Sequence, residues 1–271
     1  MNAFCPFENR ESAGRALAGA LAKKTPSDPV VLALPRGGVP VAAEVAKALK
    51  APLDVVMVRK IGVPWQPELA AAALIDGNDP QIVVNEEVCA LANVSRSYIR
   101  EAAKGELEEI ERRRALYLKD RPRASIAGRS VIVVDDGIAT GTTMRAVIKA
   151  LRLKGPKSIL LAVPVAPAET VERLRAEVDD FVCLATPEPF YGIGLHYADF
   201  HQVPDEDVIE ILEQARKTMK VKKPQEPEKP EKPREPEKAE KPGEAKMPEA
   251  EKPEKAKKPK VRPAPSDQSA P

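Results

Sequence analysis

Residues 131–144 read Val-Ile-Val-Val-Asp-Asp-Gly-Ile-Ala-Thr-Gly-Thr-Thr-Met, and this stretch decides the fold of the chain. The apolar, mostly β-branched residues Val131–Val134 predict a buried strand. A helix-compatible run follows from Thr143 to Leu153. The turn between them joins the carboxyl end of a strand to the amino end of a helix, where free N–H groups and the helix dipole favour an anion.

We call residues Asp135–Thr143 the acidic loop. It contains two glycines and three threonines: Gly137, Gly141, Thr140, Thr142 and Thr143. The glycines let the backbone approach an anion closely, and the threonine hydroxyls can donate hydrogen bonds to it. The carboxylates of Asp135 and Asp136 repel a phosphate and instead suit vicinal sugar hydroxyls, or a hydrated Mg²⁺ beside them. The loop therefore predicts a ligand that carries a phosphate at one end and a diol in the middle, such as a sugar 5-phosphate.

This arrangement resembles the binding signature of type I phosphoribosyltransferases, in which an apolar strand precedes two acidic residues and a Thr/Gly loop. The resemblance implies that Asp135 and Asp136 hold the ribose hydroxyls of phosphoribosyl pyrophosphate (PRPP), and that Asp136 takes part in catalysis. It also implies that Mg²⁺ is bound together with PRPP and not in a separate metal site. The 5-phosphate would bind at Ala139, Thr140, Gly141, Thr142 and Thr143. The alternative is a generic strand–turn–helix with acidic residues at the turn, as in receiver-like domains.

Strands alternate with helices along the rest of the chain. The predicted strands are Val30–Leu34, Leu53–Val58, Ser158–Val163 and Phe181–Leu184, with a hairpin of Ala71–Ile75 and Gln81–Val84. The predicted helices are Asn9–Lys23, Val39–Leu49, Ser95–Lys119 and Ala168–Glu177. This order predicts an α/β fold with a mostly parallel twisted sheet and helices on both faces, and a ligand site at the carboxyl ends of the strands. The resemblance adds a small hood region, as in the type I phosphoribosyltransferase fold.

Composition divides the chain in two. Residues 1–220 have ordinary apolar content and predict a single domain, which the resemblance implies is phosphoribosyltransferase-like. Residues 221–271, in contrast, are rich in Lys, Glu and Pro. The second segment has too few apolar residues to offset the entropy of ordering, and we expect a disordered tail. The alternative is a weak docking arm for anionic partners, because residues 255–262 are basic.

Charge and hydropathy narrow the class of protein. The formal net charge is +2 with both signs interspersed, so no nucleic-acid partner is expected. No apolar run approaches the roughly 20 residues that span a membrane, and no amino-terminal signal peptide is evident. Three widely spaced cysteines without a CxxC pair fit reduced thiols. We therefore expect a cytoplasmic protein whose partners are PRPP and a small-molecule acceptor, and a homo-oligomer remains open.

Two basic segments are candidates for binding pyrophosphate. Residues Pro35–Gly38, which we call the glycine turn, follow the first core strand; Arg36, Gly37 and Gly38 would form a tight anion nest there. The alternative is an ordinary strand-to-helix turn. Arg59 and Lys60 begin an Arg-Lys-x-Gly-x-Pro run that is similar to the start of the mobile loop in adenine phosphoribosyltransferases. Cations that meet the leaving pyrophosphate in the transition state accelerate its departure, so both side chains are assigned catalytic roles.

The acceptor is the least defined part of the prediction. Residues Pro189–Tyr197, which we call the aromatic segment, resemble the stretch that stacks on the purine in hypoxanthine-guanine phosphoribosyltransferases. Phe190 and Tyr191 would stack on a flat acceptor, or would instead pack at the edge of the core. His196 stands where that group has a metal-contacting Asp, and Ala139 stands where it has an acidic catalytic residue. Oxopurine salvage is therefore not supported.

Taken together with these motifs, the resemblance implies a pentosyltransferase that moves ribose 5-phosphate from PRPP to a nucleobase-like acceptor and releases pyrophosphate. The alternative function is a non-catalytic regulatory protein that binds PRPP or a nucleotide. Arg59 and Lys60 favour catalysis, because a sensor has less need of cations at the leaving group.

Overall fold

The computed structural model describes residues 6–24, 26–77, 80–119 and 122–220. The predicted tail at residues 221–271 lies outside the described residues, so its disorder and the division into two domains stay predictions. Cys5 and the turn residues Asn78 and Asp79 also lie outside.

The described residues form eight strands, seven α-helices and a short 3-10 helix. The strands are β1 (Pro29–Ala33), β2 (Leu53–Val55), β3 (Val58–Val63), β4 (Gln66–Ile75), β5 (Gln81–Val84), β6 (Ser130–Val134), β7 (Ser158–Val165) and β8 (Asp180–Ala185). The helices are α1 (Arg10–Leu21), α2 (Gly38–Leu49), α3 (Glu86–Leu91), α4 (Arg96–Leu118), α5 (Thr142–Leu153), α6 (Ala168–Arg175) and α7 (Asp205–Lys220). The 3-10 helix is Ile193–His196.

A five-stranded sheet in the order β2-β1-β6-β7-β8 forms the centre of the fold, and every neighbouring pair is parallel. Strand β6 lies in the middle, and all of its residues are buried. A parallel strand that is covered on both faces reads as a continuous apolar run, which is the pattern seen in the sequence. The prediction of a mostly parallel sheet is therefore confirmed.

Helices cover both faces of this sheet. Ile132 and Val134 of β6 point into an apolar cluster that includes residues of α1, α2 and α7. Val131 and Val133 point the opposite way, into a cluster that includes residues of α5 and α6. The alternation of side chains along a strand thus divides the core into two layers, as the sequence predicted.

A second, antiparallel sheet in the order β3-β4-β5 packs with α3 and α4 and corresponds to the predicted hood. The β4–β5 hairpin was predicted, but the sequence analysis assigned no strand to residues 59–70, most of which belong to β3 and to the first half of β4. Residues Pro64 and Trp65 join β3 and β4 directly. A Cβ atom at Gly62 would lie 2.4 Å from the carbonyl oxygen of Pro67, so glycine is required where the two strands approach.

Other boundaries follow local chemistry. The predicted long helix is α4, and the Ser95 hydroxyl caps it by accepting a hydrogen bond from the Tyr98 N–H at 3.1 Å. The predicted strand Leu53–Val58 is divided between β2 and β3. Helices α3 and α7 were not predicted; α7 buries Val208 and Leu212, which are one helical turn apart. Within the part of the chain that the structure describes, no helix combines the length and apolar character needed to cross a membrane.

Helix α1 contains two glycines in opposite environments, which gives a test of the packing between α1 and α2. A Cβ atom at Gly14 would lie 2.7 Å from the carbonyl oxygen of Val41, whereas one at Gly19 would meet nothing within 4 Å. We expect Gly14→Ala to lower the free energy of unfolding by roughly 1–3 kcal/mol through overpacking. The control Gly19→Ala should raise it by about 0.5–1 kcal/mol, because alanine favours helix. Urea denaturation measures both, and equal stabilities of the two variants would contradict the close packing.

Candidate functional site

The acidic loop and the glycine turn meet at the carboxyl edge of the parallel sheet, since β6 and β1 are neighbours and each segment follows one of these strands. The N–H of Leu34 donates to the carbonyl oxygen of Val134 at 3.0 Å. A Cβ atom at Gly37 would lie 2.0 Å from Asp136 Oδ2, and one at Gly38 would lie 2.9 Å from the Val134 carbonyl oxygen. Only glycine therefore allows the two segments to come this close. The Pro35–Arg36 peptide bond in this turn is cis.

Asp135 and Asp136 are consecutive residues at the start of the acidic loop. Asp136 is 9% exposed, and its N–H donates to Asp135 Oδ1 at 2.9 Å. Burial raises the pKa of the Asp135 carboxyl, and the neighbouring Asp136 raises it further. Burial also raises the pKa of Asp136, but an ion pair with Arg10, at 2.8 Å between Nε and Oδ2, opposes that rise. The pair is thus a concentrated acceptor of hydrogen bonds in a poorly solvated position.

Helix α5 begins at Thr142, after residues 137–141 of the acidic loop. Gly141 precedes this helix with φ +77°, a conformation that favours glycine. The first N–H groups of a helix have no intrahelical acceptors. Three exposed threonines, Thr140, Thr142 and Thr143, lie at this end of the helix or just before it. The carbonyl oxygen of Ala139 accepts a hydrogen bond from the Thr170 hydroxyl at 2.8 Å, which fixes the loop against α6. This end of the loop has the donors and the dipole that an anion requires.

Arg36 extends from the glycine turn toward the start of α7. Its Nη1 lies 3.8 Å from Asp205 Oδ1, and the hydroxyl of Tyr117 donates to the same carboxylate. Burial, followed by the hydrogen bond to Asp205, raises the pKa of Tyr117 to about 12. Arg36 is therefore held at the edge of the site by a carboxylate that belongs to another element.

The structure does not place Arg59 and Lys60 against the acidic loop. Arg59 Nε lies 2.5 Å from Glu106 Oε2 on α4, and Lys60 Nζ lies 2.9 Å from Glu68 Oε2 on the adjacent strand. Both residues belong to the β3–β4 hairpin, and Trp65 at its tip is 67% exposed. Each of the two cations thus forms an ion pair with a nearby glutamate that lies outside the acidic loop.

The aromatic segment packs on the acidic loop from the other side. The Tyr197 hydroxyl donates to the carbonyl oxygen of Asp136 at 2.6 Å. Phe190 stacks on His196 with ring centroids 5.5 Å apart, while Tyr191 is 81% exposed. Burial lowers the pKa of His196. The segment therefore combines one aromatic residue that is already stacked with another that is open to solvent.

Arg10 is the residue of the site that the sequence analysis missed. It opens α1 and lies 126 residues from its partner Asp136 along the chain. One local signal existed: the first turn of a helix favours acidic residues because of the dipole, and a basic residue there is an exception. Such exceptions to local preference often mark a tertiary or functional constraint.

Magnesium fits the acidic pair only in combination with a ligand. Within the described ranges, no cluster of three or more His, Cys, Asp or Glu side chains is arranged to hold a metal ion. Mg²⁺ often uses one or two protein carboxylates and takes its remaining ligands from substrate phosphates and water. Asp135 and Asp136 offer that donor set to an ion that arrives with a phosphorylated molecule.

Comparison with known proteins gives one consistent family. A family model described as phosphoribosyl transferase domain matches residues 8–197. Two Mycobacterium tuberculosis proteins, named "Putative phosphoribosyl transferase MT0597" (strain CDC 1551) and "Putative phosphoribosyl transferase Rv0571c" (strain H37Rv), are each 43% identical over 211 residues. Those residues are 78% of this chain and 47% of each relative, so the chain spans about half the length of the curated relatives it matches.

A solved structure with similar sequence has the same fold. The crystal structure of TT1426 from Thermus thermophilus is 43% identical to this chain and superposes with a TM-score of 0.69. The match covers 77% of this chain and 98% of that protein. The shared fold therefore includes most of the described residues.

The raised pKa of Asp135 leads to a prediction about stability. An acid whose pKa is raised by folding destabilises the folded state at higher pH, and stability returns as the pH falls through the folded-state pKa. Asp135→Asn keeps an acceptor for the Asp136 N–H and removes the charge. We expect it to raise the free energy of unfolding at pH 8 by about 0.5–2 kcal/mol, the usual range for single stabilising substitutions. The gain should shrink as the pH is lowered.

Denaturant titrations between pH 5 and pH 8 measure this effect. The control is Glu172→Gln, which removes an exposed carboxylate on α6 and should leave stability nearly unchanged at each pH. A loss of stability in Asp135→Asn at high pH would show that its negative charge is favourable in the folded protein.

Proposed function

The chain belongs to the phosphoribosyl transferase domain family, and from this premise we propose that it transfers ribose 5-phosphate from PRPP to a nucleobase-like acceptor and releases pyrophosphate. The observation that carries the proposal is the acidic pair at the carboxyl end of the central strand, with Asp136 buried and Asp135 partly buried, and the amino end of α5 at the other end of the same loop. This order provides acceptors for a diol and donors for a phosphate within one loop.

In the proposed complex, each part of PRPP meets groups of matching polarity. The ribose hydroxyls donate to the carboxylates of Asp135 and Asp136. The 5-phosphate accepts from the first N–H groups of α5 and from the hydroxyls of the neighbouring threonines. The chain's task is positioning: when the ribose is held at two points, the carbon that reacts has a fixed orientation toward the acceptor.

The leaving pyrophosphate requires positive charge. Gly37 and Gly38 let the glycine turn lie against the acidic loop, and Arg36 adds a cation at the edge of the site. The N–H of Gly38 donates to the Leu34 carbonyl oxygen at 3.0 Å, so Arg36 is the group of this turn that we assign to the pyrophosphate. Arg59 and Lys60 would complete the set if PRPP binding draws the β3–β4 hairpin toward the acidic loop. The phosphate oxygens would then replace Glu106 and Glu68 as partners of these cations. Closure of the hairpin would also exclude water, which competes with the acceptor as a nucleophile.

A magnesium ion bound with PRPP would reduce the negative charge on the departing pyrophosphate. The acidic pair is the donor set that would face such an ion. The remaining steps of the proposal depend on the chain's own residues, which orient the ribose and neutralise the leaving group.

The nature of the acceptor is inferred from the aromatic segment. Tyr191 is exposed and available to stack on a flat ring, whereas Phe190 already stacks on His196. Ala139 offers no acidic group for deprotonating an oxopurine. We therefore propose a nucleobase-like acceptor whose reaction does not require an acidic group at position 139 to remove a proton from it.

A second candidate function is a non-catalytic sensor of PRPP or a nucleotide. The observation that favours it is the pairing of Arg36, Arg59 and Lys60 with carboxylates outside the acidic loop. A sensor would bind the diol and phosphate without these cations ever reaching the pyrophosphate. The two functions therefore differ in whether pyrophosphate is released.

Binding of PRPP tests the acidic pair. We expect Asp136→Asn to weaken binding by about 1–3 kcal/mol, the scale of a lost charged hydrogen bond in a buried site. Isothermal titration calorimetry with PRPP and Mg²⁺ measures the affinity, and Glu172→Gln serves as a charge-matched control that should bind like the wild type. Unchanged affinity in Asp136→Asn would exclude the role assigned to this carboxylate.

Pyrophosphate release tests catalysis. The protein is incubated with PRPP, Mg²⁺ and a panel of purine and pyrimidine bases, and pyrophosphate is followed with a coupled assay. For an active acceptor we expect Lys60→Met to lower kcat by about 10²–10³-fold, the scale of a lost electrostatic contact in the transition state. The control is Lys104→Met, an exposed lysine on α4. Binding of PRPP without release for any base would favour the sensor.

A further inference from the structure

Arg10 makes three separate contacts around the acidic pair. Its Nε lies 2.8 Å from Asp136 Oδ2, and the two side chains are 11% and 12% exposed. Its Nη1 donates to the carbonyl oxygen of His201 at 2.7 Å. Its guanidinium carbon lies 3.8 Å from the centre of the Phe200 ring. The side chain is thus held by a charge, a hydrogen bond and an aromatic face at once.

These contacts close into a circuit. The Phe200 ring packs on Tyr197 with centroids 5.0 Å apart, and the Tyr197 hydroxyl donates to the backbone carbonyl of Asp136. Arg10, Asp136, Tyr197 and Phe200 therefore form what we call the four-residue ring. The ring fixes Asp136 twice, through its side chain on one side and through its backbone on the other.

We propose that Arg10 is a positioning residue for ribose recognition, which holds the Asp136 carboxylate in the orientation that accepts a ribose hydroxyl. The inference rests on the proposed function, because it assigns a purpose to Arg10 within the same site. The ion pair uses Oδ2, so the ligand hydroxyl is bound through Oδ1. Arg10 itself stays behind the carboxylate, covered by Phe200, and does not touch the ligand.

Charge and space both support this assignment. Asp136 lies beside a second carboxylate, Asp135, in a buried position, and Arg10 is the cation that faces it. The Asp136 carboxylate already lies against the glycine turn, because its Oδ2 occupies the space that a Cβ atom at Gly37 would take. Removing one member of a buried ion pair leaves the other charge uncompensated. Loss of Arg10 should therefore alter the Asp136 carboxylate in particular.

Lysine is not equivalent to arginine in this position. The planar guanidinium reaches Asp136 and the His201 carbonyl with two different nitrogens and presents its face to Phe200. A lysine ammonium is a point charge that can keep the ion pair but cannot stack in the same way. Arg10→Lys should therefore keep part of the function that Arg10→Gln loses.

The test is a double-mutant cycle on ligand affinity in the full-length chain, measured by calorimetry with PRPP and Mg²⁺. We expect Arg10→Gln to weaken binding by about ten- to a hundredfold, the equivalent of one lost charged hydrogen bond. In the Asp136→Asn background the same change should alter affinity by no more than about twofold, because coupled residues are not additive. Arg10→Lys should lie between the wild type and Arg10→Gln. The control is Arg15→Gln, an exposed arginine on the same helix.

The possible outcomes separate the inference from the proposed function. If the wild type does not bind PRPP, the proposed function fails and the inference fails with it. If Asp136→Asn weakens binding but Arg10→Gln binds like the wild type, only the role of Arg10 is overturned. A purely structural role would give equal losses in both backgrounds, which also overturns it. Thermal denaturation checks folding. If Arg10→Gln does not fold, the double variant replaces it, and binding much weaker than that of Asp136→Asn overturns the inference.

Discussion

The placement of two adjacent carboxylates at the end of the central strand is the constraint on which the rest of the site depends. Asp136 is buried and Asp135 is partly buried, and a buried charge is costly unless it is paired and hydrogen-bonded. Arg10 supplies the opposite charge, the Asp136 N–H donates to Asp135, and the Tyr197 hydroxyl donates to the Asp136 carbonyl oxygen. Helix α1, through Arg10, and the aromatic segment, through Tyr197, therefore both contact the acidic loop and help to balance its charge and satisfy its backbone.

Much of the parallel sheet was predictable from the sequence, because a strand buried on both faces leaves a run of apolar residues, as in β6 and β7. The β3–β4 hairpin was not. Charged residues and Gly62 interrupt the alternation of β3, and residues 66–70 of β4, which read Gln-Pro-Glu-Leu-Ala, contain a proline and a charge. Its strands are instead specified by pairing with each other and by packing against α4, which are contacts that no local pattern contains.

The candidate site divides in the same way. The sequence predicted a ligand site at the carboxyl ends of the strands, and the acidic loop and the glycine turn each follow a strand. The structure brings the two segments into contact because β1 and β6 are neighbours, which the sequence did not indicate. The contact between Arg10 and Asp136 could not be predicted, since the two residues lie 126 positions apart in the chain. Arg59 and Lys60 were identified by resemblance, but the structure pairs them with glutamates of the hood. The role proposed for them would require the β3–β4 hairpin to move toward the acidic loop.

Residues from the beginning and from near the end of the described domain meet at this site. Phe7 forms a bridge with Tyr197, and Arg10 reaches the carbonyl of His201, which lies 191 residues further along the chain. A nascent polypeptide leaving the ribosome would therefore carry the acidic loop for some time before the residues that complete it emerge. Competence to recognise a ligand would arise late in synthesis, when nearly all of the domain is available to fold as a unit.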